Sequence, residues 1–301
     1  MKILISGASG FVGRNLITAL RYLNFEVVAL HMFQQDQKSL EMQIKHLDKQ
    51  LEDLAPQIFD VHTFVHLAWM DTNDWDSSIH QNINKKLSEY LIRRLSSSGI
   101  DHVIVAGTCL EYGVSGRNLS ESLHAKPKNE YAIAKHALYK NIRIMANKGD
   151  FKLSWLRIFF IFGGDQPTST IYGSLRESIV RGETSFNMSS GQQVRDYLHI
   201  DTVCKMIQAV VVSKEEFGVV NICSGRGLTL EKHVQSWSRD INSGANLKLN
   251  LGALPDRKNE PVNLCGSSRK FNSLLKKHAP SQFDEEKEVS SPKNLALKSL
   301  R

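Results

Sequence analysis

Three glycines spaced three residues apart near the start of the chain, Gly7, Gly10 and Gly13, constrain its fold more than any other feature. Before them, Lys2-Ile3-Leu4-Ile5-Ser6 is a short, mostly aliphatic run that reads as a buried strand. After them, Val12, Leu16, Ile17, Leu20 and Leu23 recur at helical spacing on one face. A strand, a tight glycine turn and a helix opening at that turn build a pyrophosphate cradle. Gly7 makes the turn, Gly10 leaves the backbone open to a phosphate, and Gly13 lets helix and strand pack closely. The helix N-terminus adds free N–H groups and positive potential. The spacing is Gly-x-x-Gly-x-x-Gly rather than the better-known Gly-x-Gly-x-x-Gly, and the strand before and helix after give it its weight.

At 301 residues the chain has room for one large α/β domain and a smaller lobe. A net charge of +7 and a pI of about 9.1 raise nucleic acid as a partner. The basic residues form no block, only isolated pairs such as Lys85-Lys86, Arg93-Arg94 and Lys276-Lys277. The excess is therefore assigned to an anionic small substrate, and no nucleic acid is expected. The four cysteines, Cys109, Cys204, Cys223 and Cys265, show neither metal-ligand nor disulfide spacing, which predicts no metal and a reducing cytoplasm. A strand starting at Lys2 is expected to leave no room for a signal peptide, and no apolar run approaches the length of a membrane span.

Glu26-Val27-Val28-Ala29-Leu30 reads as a second buried strand. At its end an NAD-binding domain usually places a carboxylate that bonds the adenosine ribose. His31 stands there instead, and it either faces a 2′-phosphate together with Arg14 or is a strand-end surface residue. A third strand is placed at Ile44 to Leu47, a fourth at Thr63 to Trp69, and one long helix over Ile79 to Ser96. Leu67 and the small Ala68 end the fourth strand, where a cofactor ribose needs room. His102-Val103-Ile104-Val105-Ala106 is the fifth strand and delivers Thr108 to its carboxyl end, where ligands of open parallel sheets bind. Tyr131 and Lys135 are four apart on the next helix and so share a face. Such a pair is common by chance and draws its meaning from its company.

Gly7/Gly10/Gly13, Thr108 and Tyr131/Lys135 together resemble the signature of the extended short-chain dehydrogenase/reductases, the NAD-dependent epimerase/dehydratase family. His66-Leu67-Ala68, the Asn82 segment, Leu156-Arg157-Ile158-Phe159 leading to Gly163, Arg195-Asp196-Tyr197 and Asn221-Ile222-Cys223 follow that family in order and spacing, over roughly residues 1 to 270. Gly107 to Gly113 and Gly191 to Asp196 are most similar to the nucleotide-sugar C4-ketoreductases, of the CDP-abequose synthase and dTDP-6-deoxy-talose dehydrogenase kind. The resemblance implies a doubly wound parallel sheet of the Rossmann type, with a smaller α+β C-terminal lobe for the substrate. The dinucleotide domain would take residues 1–162, joined by 200–223; the sugar-nucleotide lobe 163–199 and 224–280; and 281–301 a polar tail.

By the same resemblance Tyr131 is the acid/base, Lys135 holds the nicotinamide ribose and Thr108 steadies the reacting oxygen. Gly7, Gly10, Phe11, Val12, Gly13, Arg14, His31, Leu67, Ala68, Tyr131, Lys135 and Phe159 would bind the cofactor, with NADP(H) preferred to NAD(H). Thr108, Tyr131, Arg195 and Arg257 would bind the substrate, the two arginines at its diphosphate unless they form surface salt bridges. A cationic lysine one turn away, together with the nicotinamide charge of the oxidised cofactor, should favour the Tyr131 phenolate. Sugar 4,6-dehydratases of the family carry an Asp-Glu pair directly after the catalytic threonine, whereas Cys109 and Leu110 stand here. Glu111 comes one position later and, in an extended stretch, should point away from where Leu110 points. The implied activity is NAD(P)H-dependent reduction of a 4-keto group on a nucleotide-activated 6-deoxyhexose, by a cytoplasmic homodimer in deoxysugar and O-antigen synthesis. A C4-epimerase and a non-catalytic NAD(P)-binding regulator are the alternatives.

Overall fold

The computed structural model describes residues 1–34, 39–243, 247–257 and 260–278; the expected tail from residue 281 lies outside these. The chain opens with β1 (Lys2–Ser6), α1 (Phe11–Tyr22), β2 (Glu26–Leu30), α2 (Leu40–Ile58) and β3 (Thr63–His66). A π-helix over His80–Lys85 runs into α3 (Lys86–Ser96), followed by β4 (His102–Thr108), a 3-10 turn over Cys109–Tyr112, and β5 (Gly116–Leu119). Next come α4 (Glu130–Asn147), β6 (Lys152–Ile158), β7 (Phe160–Phe162), α5 (Ile171–Val180), β8 (Ser185–Asn187), β9 (Val194–Arg195) and β10 (Tyr197–His199). The described part ends with α6 (Ile200–Ser213), β11 (Gly218–Ile222), β12 (Leu228–Thr229), α7 (Leu230–Ile241), β13 (Lys248–Asn250), β14 (Asn263–Gly266) and α8 (Arg269–His278).

The main sheet is parallel throughout, in the order β2-β1-β3-β4-β6-β11. Its strands are apolar on both faces because both faces are covered. Leu4, Phe64, Val103 and Val105 pack with Leu47, Leu91 and Leu138 of α2, α3 and α4. Ile3, Ile5, Val65 and Ile104 point the other way, onto Leu16 and Leu20 of α1 and Val203 and Ile207 of α6. This is the doubly wound Rossmann arrangement. The chain leaves β1 toward β2 and returns on the other side at β3, so the crevice that such sheets use for ligands opens at the carboxyl ends of β1 and β3.

The third strand expected at Ile44–Leu47 does not form. Those residues lie inside α2, where Leu40, Ile44, Leu47, Leu51, Leu54 and Ile58 keep a helical spacing and pack on the sheet. Among the described residues β2 is therefore the sheet edge. The expected helix Ile79–Ser96 is two pieces, since the turns over His80–Lys85 are widened to π geometry before α3 begins.

α8 packs on the main sheet beside β11 through Phe271, and the remaining elements build a smaller α+β layer. β12-β9-β14-β5 form a mixed sheet, and β10 pairs β7 while β13 pairs β8. Leu175, Phe186, Leu230, Val234 and Trp237 make its separate core. Asp196, fully buried, ties the layers together: its carboxylate accepts from Ser224 N (2.8 Å), Ser224 Oγ (2.6 Å), Gly225 N (3.0 Å) and Gly266 N (3.2 Å). Four donors compensate a charge that burial alone would not tolerate. No described helix is long and apolar enough to cross a membrane.

Candidate active site

The glycine turn closes on the end of β3. Gly7 has φ +77°, and a Cβ there would sit 2.6 Å from Ala68 N. A Cβ on Gly13 would collide with the Gly7 carbonyl oxygen, so helix and turn approach more closely than any side chain allows. Gly10 differs: its Cβ would meet only Gly7 O, at 3.2 Å. Gly10 is the N-cap of α1, and no side chain caps that helix. Phe11 and Val12 open the helix, and Leu67 and Ala68 form the facing wall. An uncapped helix N-terminus behind a turn stripped of side chains fits a dinucleotide diphosphate.

Arg14 and His31 are not brought together by any contact. Arg14 donates to Ser9 O (2.7 Å) and to Asp165 Oδ2 (2.7 Å), an exposed ion pair across to the loop after β7. His31 is exposed, and its carbonyl is 3.1 Å from His46 Nε2. Phe159 is buried beyond β6 against Tyr112 and Cys223.

Thr108 ends β4, and Tyr131 and Lys135 lie on the first turns of α4, which Asn129 caps by accepting from Ala132 N at 2.8 Å. Lys135 is 2% exposed; its Nζ donates to Ala106 O (2.7 Å) and lies 3.8 Å from the centre of the Trp69 ring. Burial pulls its pKa down to about 7, against an opposing push from Glu111. Burial likewise drives the Tyr131 phenol well above its ordinary value of 10.0, with Cys109 and Glu111 adding to the rise and Thr108 opposing it. Desolvation by itself thus favours the neutral phenol, whereas the expected phenolate also calls on the positive charge of an oxidised nicotinamide; the Lys135 ammonium lies 6.0 Å from the Tyr131 ring. Thr108 Oγ1 accepts from Leu110 N (3.2 Å), and its hydroxyl faces the Tyr131 phenol.

The extended stretch expected around Glu111 does not form. Cys109–Tyr112 is a 3-10 turn, so strand alternation does not apply, and Glu111 folds back beneath the site with no exposure. Its Oε1 accepts from Thr108 N and Trp155 Nε1, both at 2.9 Å, and its Oε2 takes Arg157 Nε at 3.2 Å. The Thr-x-x-Glu spacing of a capping box was its only sequence signal. Trp69 and His80 were also missed. Trp69 Nε1 donates to His80 Nδ1 (3.1 Å), and His80 Nε2 reaches Asp74 O (2.7 Å), which fixes the orientation of the imidazole ring beside Tyr131. Only the π-widened turn lets His80 face inward, and no periodicity announces one.

Arg195 and Arg257 both line a cavity of about 500 Å³, together with Trp75, Tyr172, Gln193 and Glu260. Trp75 joins this cavity to the catalytic helix, since its carbonyl accepts from Tyr131 N at 2.9 Å. Arg257 lies 5.0 Å over the Trp75 ring. Arg195 is 2% exposed and is largely engaged by its own chain, through Val194 O (2.8 Å), Val262 O (3.2 Å) and Glu260 (2.9 Å).

Known proteins of the same shape bind dinucleotides. A UDP-glucuronic acid 4-epimerase variant from Bacillus cereus, in complex with UDP-4-deoxy-4-fluoro-glucuronic acid and NAD, superposes with a TM-score of 0.75 at 21% identity, covering 93% of this chain and 94% of that one. RMD from Pseudomonas aeruginosa, complexed with NADPH, gives 0.74 at 19%, covering 93% and 92%. By sequence, dTDP-6-deoxy-L-talose 4-dehydrogenase (NAD(+)) of Aggregatibacter actinomycetemcomitans is 26% identical over 83% of this chain and 94% of its own. GDP-6-deoxy-D-talose 4-dehydrogenase of the same organism is 26% identical over 76% of each. The family model for NAD dependent epimerase/dehydratases matches residues 3–223, which span the glycine turn, Thr108, Tyr131 and Lys135, and the chain belongs to that family.

Proposed function

We propose that the protein reduces the 4-keto group of a nucleotide-activated 6-deoxyhexose, with NADPH preferred modestly to NADH. The observation that carries this reading is the pair that follows Thr108. Removing water across C5 and C6 of a sugar needs a second acid and base beside the tyrosine. Cys109 and Leu110 occupy those positions, both buried, and burial pushes the Cys109 thiol up to about 12. Neither moves a proton at neutral pH. The names of the relatives, 4-dehydrogenases of 6-deoxytaloses, support the same reading.

A nicotinamide dinucleotide, when bound, supplies the hydride. Gly7, Gly10 and Gly13 with the N-terminus of α1 would hold its diphosphate. Thr108, whose hydroxyl faces Tyr131, would donate to the carbonyl oxygen and stabilise the charge that develops there. Tyr131, held protonated by its surroundings, delivers a proton to the same oxygen, which is the state that a reduction requires. Lys135 would steady the nicotinamide ribose, and its charge offsets the cost of the phenolate left behind. Arg257 and Arg195 line the cavity for the substrate diphosphate, with the Trp75 ring as an apolar wall.

The test offers the purified protein a panel of keto-sugar nucleotides and follows the NAD(P)H absorbance. Stoichiometric oxidation of cofactor by a 4-keto-6-deoxy sugar nucleotide, with an ordinary NDP-hexose left untouched, is expected. Conversion of an NDP-hexose to a 4-keto-6-deoxy product without net cofactor change would overturn the proposal.

A further inference from the structure

A second cavity, of about 720 Å³, opens on the face of the main sheet that carries α4, beside β6 and the edge strand β11. It shares no lining residue with the cavity of Arg195 and Arg257. Three cations line it from three elements: Arg143 of α4, Arg157 of β6 and Lys270 of α8. Arg143 donates to the Tyr139 hydroxyl and Lys270 to the Val219 carbonyl, and both acceptors are neutral. Neither cation has a carboxylate within salt-bridge distance among the described residues.

Arg157 gives the strongest signal. It is 3% exposed, its Nε is committed to Glu111, and its guanidinium lies 4.5 Å over the Tyr112 ring. Its Nη1 has no hydrogen-bond partner, an expensive state for a buried charged donor. His136 Nδ1 is also buried and unpartnered, 3.7 Å from Glu111 Oε2. Two carboxylates line the cavity as well. Glu121 accepts from Asn221 N (2.8 Å), and both Glu121 and Glu216 face the Lys270 charge.

We propose that this cavity is a second ligand site, for a small molecule carrying one phosphate group. Guanidinium groups present paired N–H donors that match phosphate oxygens, and an ammonium on a separate element completes the clamp. Arg143, Arg157 and Lys270 stand against Glu121 and Glu216 in the lining and Glu111 behind Arg157, and the N–H donors left over suit one phosphate rather than a polyanion. The Tyr139 ring, Leu153 and Val219 give the organic part of the ligand an apolar wall, and the volume is that of small-molecule sites. The inference stands apart from the reaction proposed above, because it uses none of the residues assigned to it.

Isothermal calorimetry with inorganic phosphate tests it, on protein saturated with NADP+ and a nucleoside diphosphate so that the other anion sites are filled. The wild type should bind one phosphate. Arg143→Ala combined with Lys270→Ala should weaken that binding at least tenfold, and Arg143→Lys combined with Lys270→Arg should restore it to within about threefold. Arg257→Ala, on the other cavity, should leave it unchanged. Unaltered cofactor affinity in each variant shows that the fold is intact. Absence of phosphate binding at millimolar concentration, equal binding by the double alanine variant, or loss of binding in Arg257→Ala would overturn the site. Malonate binding more tightly than phosphate would overturn the phosphate assignment.

Discussion

Replacing Glu111 by glutamine removes one charge from the floor of the site and changes almost no volume. The glutamine carbonyl can still accept from Thr108 N and Trp155 Nε1, the two bonds of 2.9 Å. Its amide then meets Arg157 Nε donor to donor, and Arg157 loses its counter-charge at 4% side-chain exposure beside a residue at 0%. Breaking one side of a buried ion pair costs about 3–5 kcal/mol, because the surviving charge is left desolvated. For a chain of this size that corresponds to a fall in Tm of about 5–8 °C. Arg157→Met alone should cost a similar amount, and the two together far less than the sum, since replacing both partners removes the stranded charge. Differential scanning calorimetry of the four proteins closes the cycle. A Glu111→Gln Tm within about 2 °C of wild type would refute the buried-pair account, as would strict additivity of the two substitutions.

Tyr131→Phe should lower kcat by about 10²–10⁴-fold, the usual contribution of a positioned acid, with cofactor affinity nearly unchanged; steady-state kinetics and a cofactor titration check both halves. Asp165→Asn frees Arg14 from its exposed pair and should raise kcat/KM for NADPH relative to NADH by up to about fivefold, the equivalent of about 1 kcal/mol; an unchanged ratio would remove Arg14 from cofactor choice. Acid should destabilise the fold through two buried histidines. Burial and the Lys135 charge push His66 down to about 3, and burial with Lys152 pushes His102 down to about 4. Below about pH 6.5 the unfolded chain takes up protons that these folded sites refuse. Stability should therefore fall as pH drops from 6.5, by up to about 1.4 kcal/mol per pH unit for each histidine, and their contribution should level off below about 3 to 4. Tm measured from pH 7 to 4 should show the decline, and His66→Gln should reduce it; a flat wild-type profile contradicts the buried neutral imidazoles.

What the sequence determined by itself is whatever depends on neighbours in the chain. The strand before Gly7, the turn and the helix after it are local, as are the four-residue spacing of Tyr131 and Lys135 and the place of Thr108 at the end of an apolar run. The one long misreading, a strand at Ile44–Leu47, came from favouring a topological expectation over a helical period that was already present in Leu40, Ile44, Leu47 and Leu51. Tertiary structure alone decided the rest, because the deciding groups lie far apart in the chain. Glu111 meets Trp155 and Arg157 across 44 and 46 residues, and Arg14 meets Asp165 across 151. The pKa shifts of Tyr131 and Lys135, up and down respectively, come chiefly from desolvation, which is a property of the assembled layers rather than of any segment.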